Sequence, residues 1–211
     1  MKNAKKLWIL FLILFFLIGC LIFILNPTSK NQILKKSNSD YDSIISEEKI
    51  SRKREDEERN KFIKEIAPIS QEIQNNYHIL ASITIAQACL ESDWGRSSLS
   101  SKYNNYFGIK GNNGPNTVTL ETKEFVDGHW IKKKANFMVY KSMEDSMKDH
   151  AELLKNGTSW NENQYQEVID AKDYQAASQA LLRAGYATDP DYARKLIQII
   201  NQYNLNRFDT N

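Results

Sequence analysis

Cysteine and histidine are scarce in this chain of 211 residues, which holds two cysteines and three histidines. Cys20 lies in an apolar N-terminal run and Cys89 in a predicted helix, so the two do not form a disulfide framework. His78, His129 and His150 stand far apart in the sequence, without the spacing of zinc ligands. We therefore predict neither a metal centre nor a bound cofactor.

An excess of charge of one sign is also missing, because 28 lysines and arginines nearly balance 26 aspartates and glutamates. A balanced chain lacks the basic field that recruits nucleic acid, so we predict no nucleic-acid partner. The length suits one ordinary domain with a tail, which leaves enough residues for one sizeable hydrophobic core.

The only long hydrophobic run extends from Leu7 to Leu25 and contains no charge. As a helix it spans roughly 28 Å, close to the hydrocarbon thickness of about 30 Å. We predict that residues 1–25 are an uncleaved signal-anchor that holds the remaining chain at the outer face of the cell membrane. The alternative is a lipoprotein lipidated at Cys20, although Leu21 to Leu25 continues the apolar run beyond that position.

Residues 26–60 are predicted to form a polar and charged stalk. Asn31 to Asp40 has the composition of a flexible linker. Ser46 to Lys64 carries several acid–base pairs four residues apart, which favours a solvated helix. Apolar residues recur at helical spacing from Phe62, so we place the folded domain at residues 61–211.

The domain is predicted to be an α+β fold that is mainly helical, with one inserted β-hairpin. Two runs rich in β-branched and aromatic residues, Thr117–Val126 and Trp130–Tyr140, flank Asp127-Gly128, a strong hairpin signal. Capping residues precede the helical patterns on both sides of this hairpin. The predicted caps are Ser82, Ser142, Asp173 and Asp189, and a short helix covers Ser97–Tyr103.

Glu91 is a candidate general acid because it falls in the last turn of the helix that Gly95 ends. The helix dipole is negative at that end and disfavours an ionised carboxylate. Desolvation by the nearby Trp94 acts in the same direction on the carboxyl pKa. A carboxylic acid that stays protonated near neutral pH can protonate a glycosidic oxygen. The alternative is an ordinary surface glutamate.

A loop after the second helix combines amides and aromatic rings that suit sugar binding, with Asn105 and Tyr106 as candidates. Asn105 could equally satisfy a turn, and Phe107 is expected to pack in the core. On the hairpin, Glu121 and Glu124 are candidates for a second carboxylate, although facing lysines could pair with them. His150 is expected to be a hydrogen-bonded core histidine.

Several blocks taken together resemble one family. Ile83–Gly95 (ITIAQACLESDWG), Asn105–Gly111 (NYFGIKG) and Ala184–Tyr192 (AGYATDPDY) resemble the glucosaminidases of glycoside hydrolase family 73. These are bacterial peptidoglycan hydrolases with a lysozyme-like fold. The resemblance covers roughly Ile63 to Asn204, and it departs from the family pattern mildly at Cys89 and Asp93.

The resemblance implies that Glu91 is the general acid, that Glu124 is the second carboxylate and that Tyr186 borders the reacting sugar. Glu121 replaces Glu124 if the hairpin register differs. The substrate implied is the β-1,4 bond after N-acetylglucosamine in the glycan strands of the cell wall. Substrate binding is assigned to Trp94, Asn105, Tyr106, Asp189 and Tyr192.

Three functions remain open from the sequence. The first is an endo-β-N-acetylglucosaminidase, acting by inversion with Glu124 activating water or by retention with the substrate's acetamide as nucleophile. The second is a lytic transglycosylase that leaves an anhydro sugar. The third is a wall-binding module without catalysis, which the presence of both Glu91 and Glu124 disfavours.

Overall fold

The computed structural model divides the chain into two units, Met1–Asp56 and Glu57–Asn211. Within the part that it describes, no helix is both long and apolar enough to cross a bilayer. The predicted anchor, Leu7–Leu25, and with it Cys20, lies outside the described residues. The backbone is described for residues 27–112, 114–126 and 128–210, and side chains are described from residue 41 onward except at 123–126 and 130.

Helix α1 covers Pro27–Tyr77, so it includes the segment Asn31–Asp40 that composition suggested was a flexible linker. The physical reason lies in the residues that this segment lacks. After Pro27, which suits the first position of a helix, no glycine or proline interrupts the chain before Pro68. The expected change to an amphipathic pattern is confirmed, because Phe62, Ile66 and Ile73 are buried.

Helix α2 (Ala81–Ser92) is almost wholly buried and carries Glu91 in its last turn. The prediction that Ser82 caps its start is wrong, since Ser82 lies inside the first turn. The cap comes from the other end of the chain, where the Asp209 carboxylate accepts hydrogen bonds from the Ser82 N–H at 2.7 Å and from the Ser82 hydroxyl at 2.8 Å. A carboxylate at a helix N-terminus is favoured by the unpaired N–H groups there.

The turn after α2 reverses the chain through left-handed backbone at Asp93, Trp94 and Gly95. Only glycine fits the last position, because a Cβ on Gly95 would lie 2.9 Å from the Phe62 ring. Helix α3 (Ser98–Tyr103) follows. The short helix predicted over Ser97–Tyr103 is thus confirmed, except that Ser97 caps it instead of starting it, by accepting a hydrogen bond from the Ser100 N–H at 3.1 Å.

Strands β1 (Thr117–Val126) and β2 (His129–Met138) form the predicted antiparallel hairpin. Its root is joined to the loop after α3 by backbone hydrogen bonds, from Gly111 to Asn136 at 3.0 Å and from Met138 to Ile109 at 2.9 Å. The side chains of residues 131–134 are exposed. The hairpin is therefore held at one end and open to solvent over much of its length.

The helices after the hairpin complete the core. Ser142 and Asp173 cap two of them as predicted. The last helix begins at Tyr192 rather than at Pro190, because Asp189 closes a turn by accepting a hydrogen bond from the Asp191 N–H at 2.9 Å. The elements are α4 (Met143–Asn156), α5 (Gln166–Ile169), α6 (Tyr174–Arg183), α7 (Tyr192–Tyr203) and a 3-10 turn (Leu205–Phe208).

Candidate active site

A cleft of about 700 Å³ opens beside the C-terminal turn of α2. The loops before α7, after α3 and after α4 form its other walls. The cleft therefore brings together residues from the three blocks that carry the family resemblance and others from outside these blocks. Its lining residues include Glu91, Phe107, Lys110, Trp160, Gln164, Tyr165, Tyr186, Asp189, Tyr192 and Lys195.

Glu91 is partly exposed at this cleft and is otherwise surrounded by protein. Burial raises the pKa of its carboxyl group from 4.5 to about 7. A hydrogen bond from Tyr192 and the charge of Lys195 act in the opposite direction, while the charge of Asp189 adds to the rise. Glu91 can therefore hold a proton near neutral pH, as a general acid requires.

Tyr192 and Gln87 form a hydrogen-bonded chain that ends at Glu91. The Gln87 Nε2 donates to the Tyr192 hydroxyl oxygen at 3.0 Å, and both side chains are buried. Since this oxygen already accepts from Gln87, the hydroxyl proton is free to be donated to Glu91. Gln87 lies one helical turn before Glu91 on α2, so the same helix positions the acid and supports its partner.

Asp189 and Lys195 form an ion pair at the side of the cleft. Burial alone would raise the pKa of Asp189, but the hydrogen bonds from Lys195 and from the Asp191 N–H hold it below its usual value. Asp189 therefore remains ionised near neutral pH and is already bonded to groups of the protein. This leaves Glu91 as the acid that can supply a proton in the described part of the cleft.

Aromatic rings form one wall of the cleft around Tyr186. Its ring stacks on Tyr192 at 5.6 Å between centroids and meets Tyr165 edge-on at 6.1 Å. Burial, and after it the charge of Glu91, raises the pKa of Tyr186 well above its usual value. The phenol therefore stays neutral and can act by hydrogen bonding and by ring contact, but not as a base.

His150 supports this wall from the core, as expected for a buried histidine. It is fully buried, stacks on Phe107 at 3.9 Å and meets Tyr186 edge-on at 5.7 Å. The hydrogen bond expected for it is not found, because neither ring nitrogen has a partner among the described residues. Burial lowers the pKa of His150 to about 3, so the ring is neutral and packs as an aromatic.

Asn105 and Tyr106, predicted to bind sugar, do not line the cleft. The Asn105 amide is buried and donates to the carbonyl oxygens of Ile109 and Met138, both at 2.9 Å, while its oxygen accepts from the Ile109 N–H at 3.1 Å. Tyr106 is buried against the Phe62 ring at 6.0 Å. Asn105 thus holds the turn, which was the alternative role that its sequence left open.

Trp94, the third predicted sugar contact, also lies away from the described lining of the cleft. Its ring meets Tyr203 at 4.8 Å, and the Arg59 guanidinium lies 5.1 Å from its centroid. The left-handed backbone at Trp94 lies just after the end of α2, three residues beyond Glu91. Through its contacts with Arg59 and Tyr203, the ring packs between α1 and α7.

The two hairpin carboxylates differ in what the structure shows. Glu121 is exposed and forms an ion pair with Lys132 at 2.9 Å. Glu124 pairs with Ile131 in the strand register, and its side chain lies outside the described ones. The expected pairing with facing lysines is confirmed for Glu121, while the role of Glu124 stays a prediction.

Sequence reasoning missed three residues around the cleft: Gln87, Trp160 and Lys195. Gln87 could have been found, because residues four apart on a helix share one face. Trp160 stands alone among polar residues, which is unusual for the largest apolar side chain. Lys195 gives no such signal, since its partner Asp189 precedes the helix. In the described part of the chain, no three His, Cys, Asp or Glu side chains are grouped to hold a metal ion.

Comparison with known proteins finds relatives among bacterial proteins named as glucosaminidases and muramidases. The exo-glucosaminidase LytG of Bacillus subtilis (strain 168) is 46% identical over 153 residues, which cover 72% of this chain and 54% of that protein. A probable N-acetylmuramidase of Lactococcus lactis subsp. lactis (strain IL1403) is 42% identical over 151 residues, covering 70% of this chain and 34% of that protein. The chain thus spans about half or less of the curated relatives that it matches.

The fold has solved counterparts. The catalytic domain of the autolysin Auto from Listeria monocytogenes superposes with a TM-score of 0.65 at 39% identity, covering 72% of this chain and 88% of that one. The expected lysozyme-like architecture, mainly helical with one small two-stranded sheet, is confirmed. Residues 67–205 match the family model Glucosaminidase, described as mannosyl-glycoprotein endo-beta-N-acetylglucosaminidase. This chain therefore belongs to the glucosaminidase family of glycoside hydrolases.

Proposed function

We propose that this chain hydrolyses the β-1,4 bond after N-acetylglucosamine in the glycan strands of bacterial peptidoglycan. The observation that carries the proposal is Glu91, a carboxylic acid with a pKa of about 7 that opens onto a cleft walled by tyrosines. Burial keeps the acid protonated, and the cleft gives a glycosidic oxygen access to it. Sequence likeness to an exo-glucosaminidase and to the Listeria autolysin supports the substrate class.

We favour a mechanism that uses the substrate's own acetamide, because Asp189 and Glu121 are each engaged by a lysine. Glu91 donates its proton to the leaving oxygen while the bond from C1 to that oxygen breaks and the acetamide oxygen bonds to C1. Water then adds to C1, the acetamide is released, and the Glu91 carboxylate takes the proton of that water. The configuration at C1 is retained. Tyr186 would steady the charged intermediate as a neutral hydrogen-bond partner.

The inverting mechanism requires a second carboxylate that activates the attacking water. The two carboxyl groups of such an enzyme lie about 6.5–9.5 Å apart. Glu124 is the candidate for that role. Asp189 suits it less well, because its carboxylate is engaged by Lys195 and the Asp191 N–H. Proton NMR of the first product anomer would separate the two mechanisms, since retention gives the β anomer and inversion gives the α anomer.

The bond that is cut is tested by digesting purified peptidoglycan and analysing the fragments by mass spectrometry after borohydride reduction. We expect reduced N-acetylglucosamine at the new ends. Reduced N-acetylmuramic acid would assign the other glycosidic bond, in line with the name of the Lactococcus relative. Anhydro ends would assign a lytic transglycosylase, and the absence of new ends would leave only a wall-binding role.

We also propose that residues 1–25 anchor the chain in the cell membrane, with the domain facing the cell wall. The apolar run from Leu7 to Leu25 supports this placement. Replacing Cys20 with serine separates an anchor from a lipoprotein. For an uncleaved anchor, the variant stays in the membrane fraction at an unchanged mass apart from the substitution. Loss of a lipid-sized mass would instead establish lipidation at Cys20.

A further inference from the structure

Trp160 is the most exposed large hydrophobic side chain in the described part of the chain, with 80% of its surface accessible. It lies in the loop between α4 and α5, among polar residues. Trp160 lines the cleft that contains Glu91 and also lines a second groove of about 380 Å³. Trp160 and Gln164 line both depressions, so the cleft and the second groove adjoin at these two residues.

The loop that carries Trp160 is held tightly. Thr158 and Asn161 pair with each other through two backbone hydrogen bonds of 2.9 and 3.0 Å, so Ser159 and Trp160 form the tip of a turn. The Thr158 hydroxyl bonds to Gln164 at 2.7 Å, and Gln164 in turn donates to the Ala184 carbonyl oxygen at 2.9 Å. A ring presented on such a loop loses little conformational entropy on binding a ligand.

The second groove has the chemistry of a sugar site. Its lining combines Trp160 with the side-chain amides of Asn161 and Asn163, groups of the kind that pair with hydroxyl and acetamide groups. The Gln164 amide also lies in the lining, but it is engaged by Thr158 and Ala184. Its two charged residues, Glu167 and Arg183, pair with each other at 2.7 Å and so offer no net charge to an ionic ligand. The polar lining residues are Asn161, Asn163, Gln164, Glu167 and Arg183.

We propose that Trp160 and this groove form a distal subsite for the same glycan strand that is cut beside Glu91. The inference rests on the proposed function and deepens it. The Trp160 ring stacks on the apolar face of one sugar, and the amide-lined groove receives the next sugars of the strand. The border that the groove shares with the cleft places it next to the strand that reaches Glu91. The glycan is favoured over a stem peptide because an internally neutralised groove does not select charged peptide groups.

Equilibrium binding tests the subsite independently of catalysis. The full chain carrying Glu91→Gln is titrated by calorimetry with a disaccharide and with a hexasaccharide of β-1,4-linked N-acetylglucosamine. Adding Trp160→Ala is expected to weaken the binding of the hexasaccharide about tenfold, which is the order of one aromatic contact. The affinity for the disaccharide should stay unchanged. Trp160→Tyr restores most of the affinity. Tyr41→Ala, which removes another exposed aromatic side chain outside the cleft, changes the affinity for neither ligand.

Each of the following outcomes would overturn the proposal of a distal subsite. An equal loss for both ligands would place Trp160 at the sugars next to the cut bond rather than at a distal subsite, and no loss for either would show that no sugar reaches the ring. Lack of hexasaccharide binding in the parent variant would also reject it. The proposed function fails differently, namely when the chain with Glu91 intact leaves peptidoglycan uncut although the hexasaccharide binds in a Trp160-dependent manner.

Discussion

The helical floor of the cleft and the β-hairpin beside it are built in opposite ways. On the floor, Glu91, Tyr186 and Tyr192 are set by buried helices, ring stacking and hydrogen bonds that join distant parts of the chain. The hairpin is held at its root, while the side chains of Glu121 and of residues 131–134 on the facing strand are exposed to solvent. A two-stranded ribbon is only marginally stable without further packing. The floor therefore suits chemistry that needs fixed geometry, and the hairpin suits closure over a long substrate.

Replacing Glu91 with glutamine is expected to have the largest effect on activity. The amide cannot donate a proton to the leaving oxygen, so hydrolysis of peptidoglycan should fall by about 10²–10⁴-fold. Circular dichroism should be unchanged, because the amide keeps the shape of the carboxylic acid. The matched control is Asp93→Asn, an exposed carboxylate two residues away that pairs with Arg96. A Glu91→Gln enzyme that retains more than a tenth of the parent rate would reject the assignment.

Asn105→Ala tests the junction between the two regions. The buried amide makes three hydrogen bonds, to Ile109 and to Met138 at the end of β2. At roughly 0.5–1.5 kcal/mol for each bond, its loss should lower the free energy of unfolding by about 2–4 kcal/mol. Asn112→Ala, an exposed asparagine in the same loop, should cost much less. If both variants unfold at the parent temperature, Asn105 does not hold the hairpin root.

The same contrast explains which features the sequence predicts. The helices and the hairpin follow from periodicity, from caps such as Ser142 and from Asp127-Gly128, all of which are local signals. The position of Glu91 in a last helical turn is local as well. The cap of α2 by Asp209 and the packing of Trp94 on Tyr203 depend on residues more than a hundred positions away, which no local pattern reveals.

Asn105 shows why residue type alone does not assign a site. An amide beside aromatic rings is equally suited to a sugar and to a turn, and the structure decides for the turn because three backbone groups surround it. Trp160 is the converse case. Its polar surroundings in sequence indicate exposure, but only the folded chain shows that it borders the cleft.

Tyr192→Phe should change how the activity of the enzyme depends on pH. The activity requires protonated Glu91, so kcat/KM falls as pH rises through about 7, where the acid loses its proton. The hydrogen bond from Tyr192 favours the ionised form and lowers the pKa of Glu91. Its removal should therefore move the alkaline limb of the profile to higher pH. The measurement is kcat/KM against pH on peptidoglycan, and a limb that stays in place or moves down contradicts the hydrogen-bonded chain.

The loss of this hydroxyl should also cost about 1–3 kcal/mol of stability, since the buried Gln87 amide loses its acceptor. Tyr174→Phe is the matched control, because it removes a hydroxyl that bonds to Asn201 at an exposed position. The control should leave both the pH profile and the stability nearly unchanged. A control that shifts the limb equally would show that the effect does not depend on contact with Glu91.

Glu124→Gln is expected to have the smallest effect, and one that depends on the substrate. If the hairpin closes over a long glycan, Glu124 can reach the bond that Glu91 protonates, as residues on mobile lobes do when they complete a site. Intact strands should therefore be cut more slowly by the variant, while a short soluble fragment, which cannot hold the hairpin closed, should lose less. The measurement is the initial rate on each substrate.

Glu121→Gln is the matched control on the same strand, and its exposed ion pair with Lys132 contributes little to stability. We expect it to be silent on both substrates. If Glu121→Gln slows cleavage while Glu124→Gln does not, the catalytic carboxylate of the hairpin is Glu121. If neither changes the rate, no hairpin carboxylate takes part in the reaction, and the acetamide mechanism with Glu91 as the only catalytic carboxylate follows. In that case the floor carries the chemistry alone, and the hairpin serves only to hold the strand.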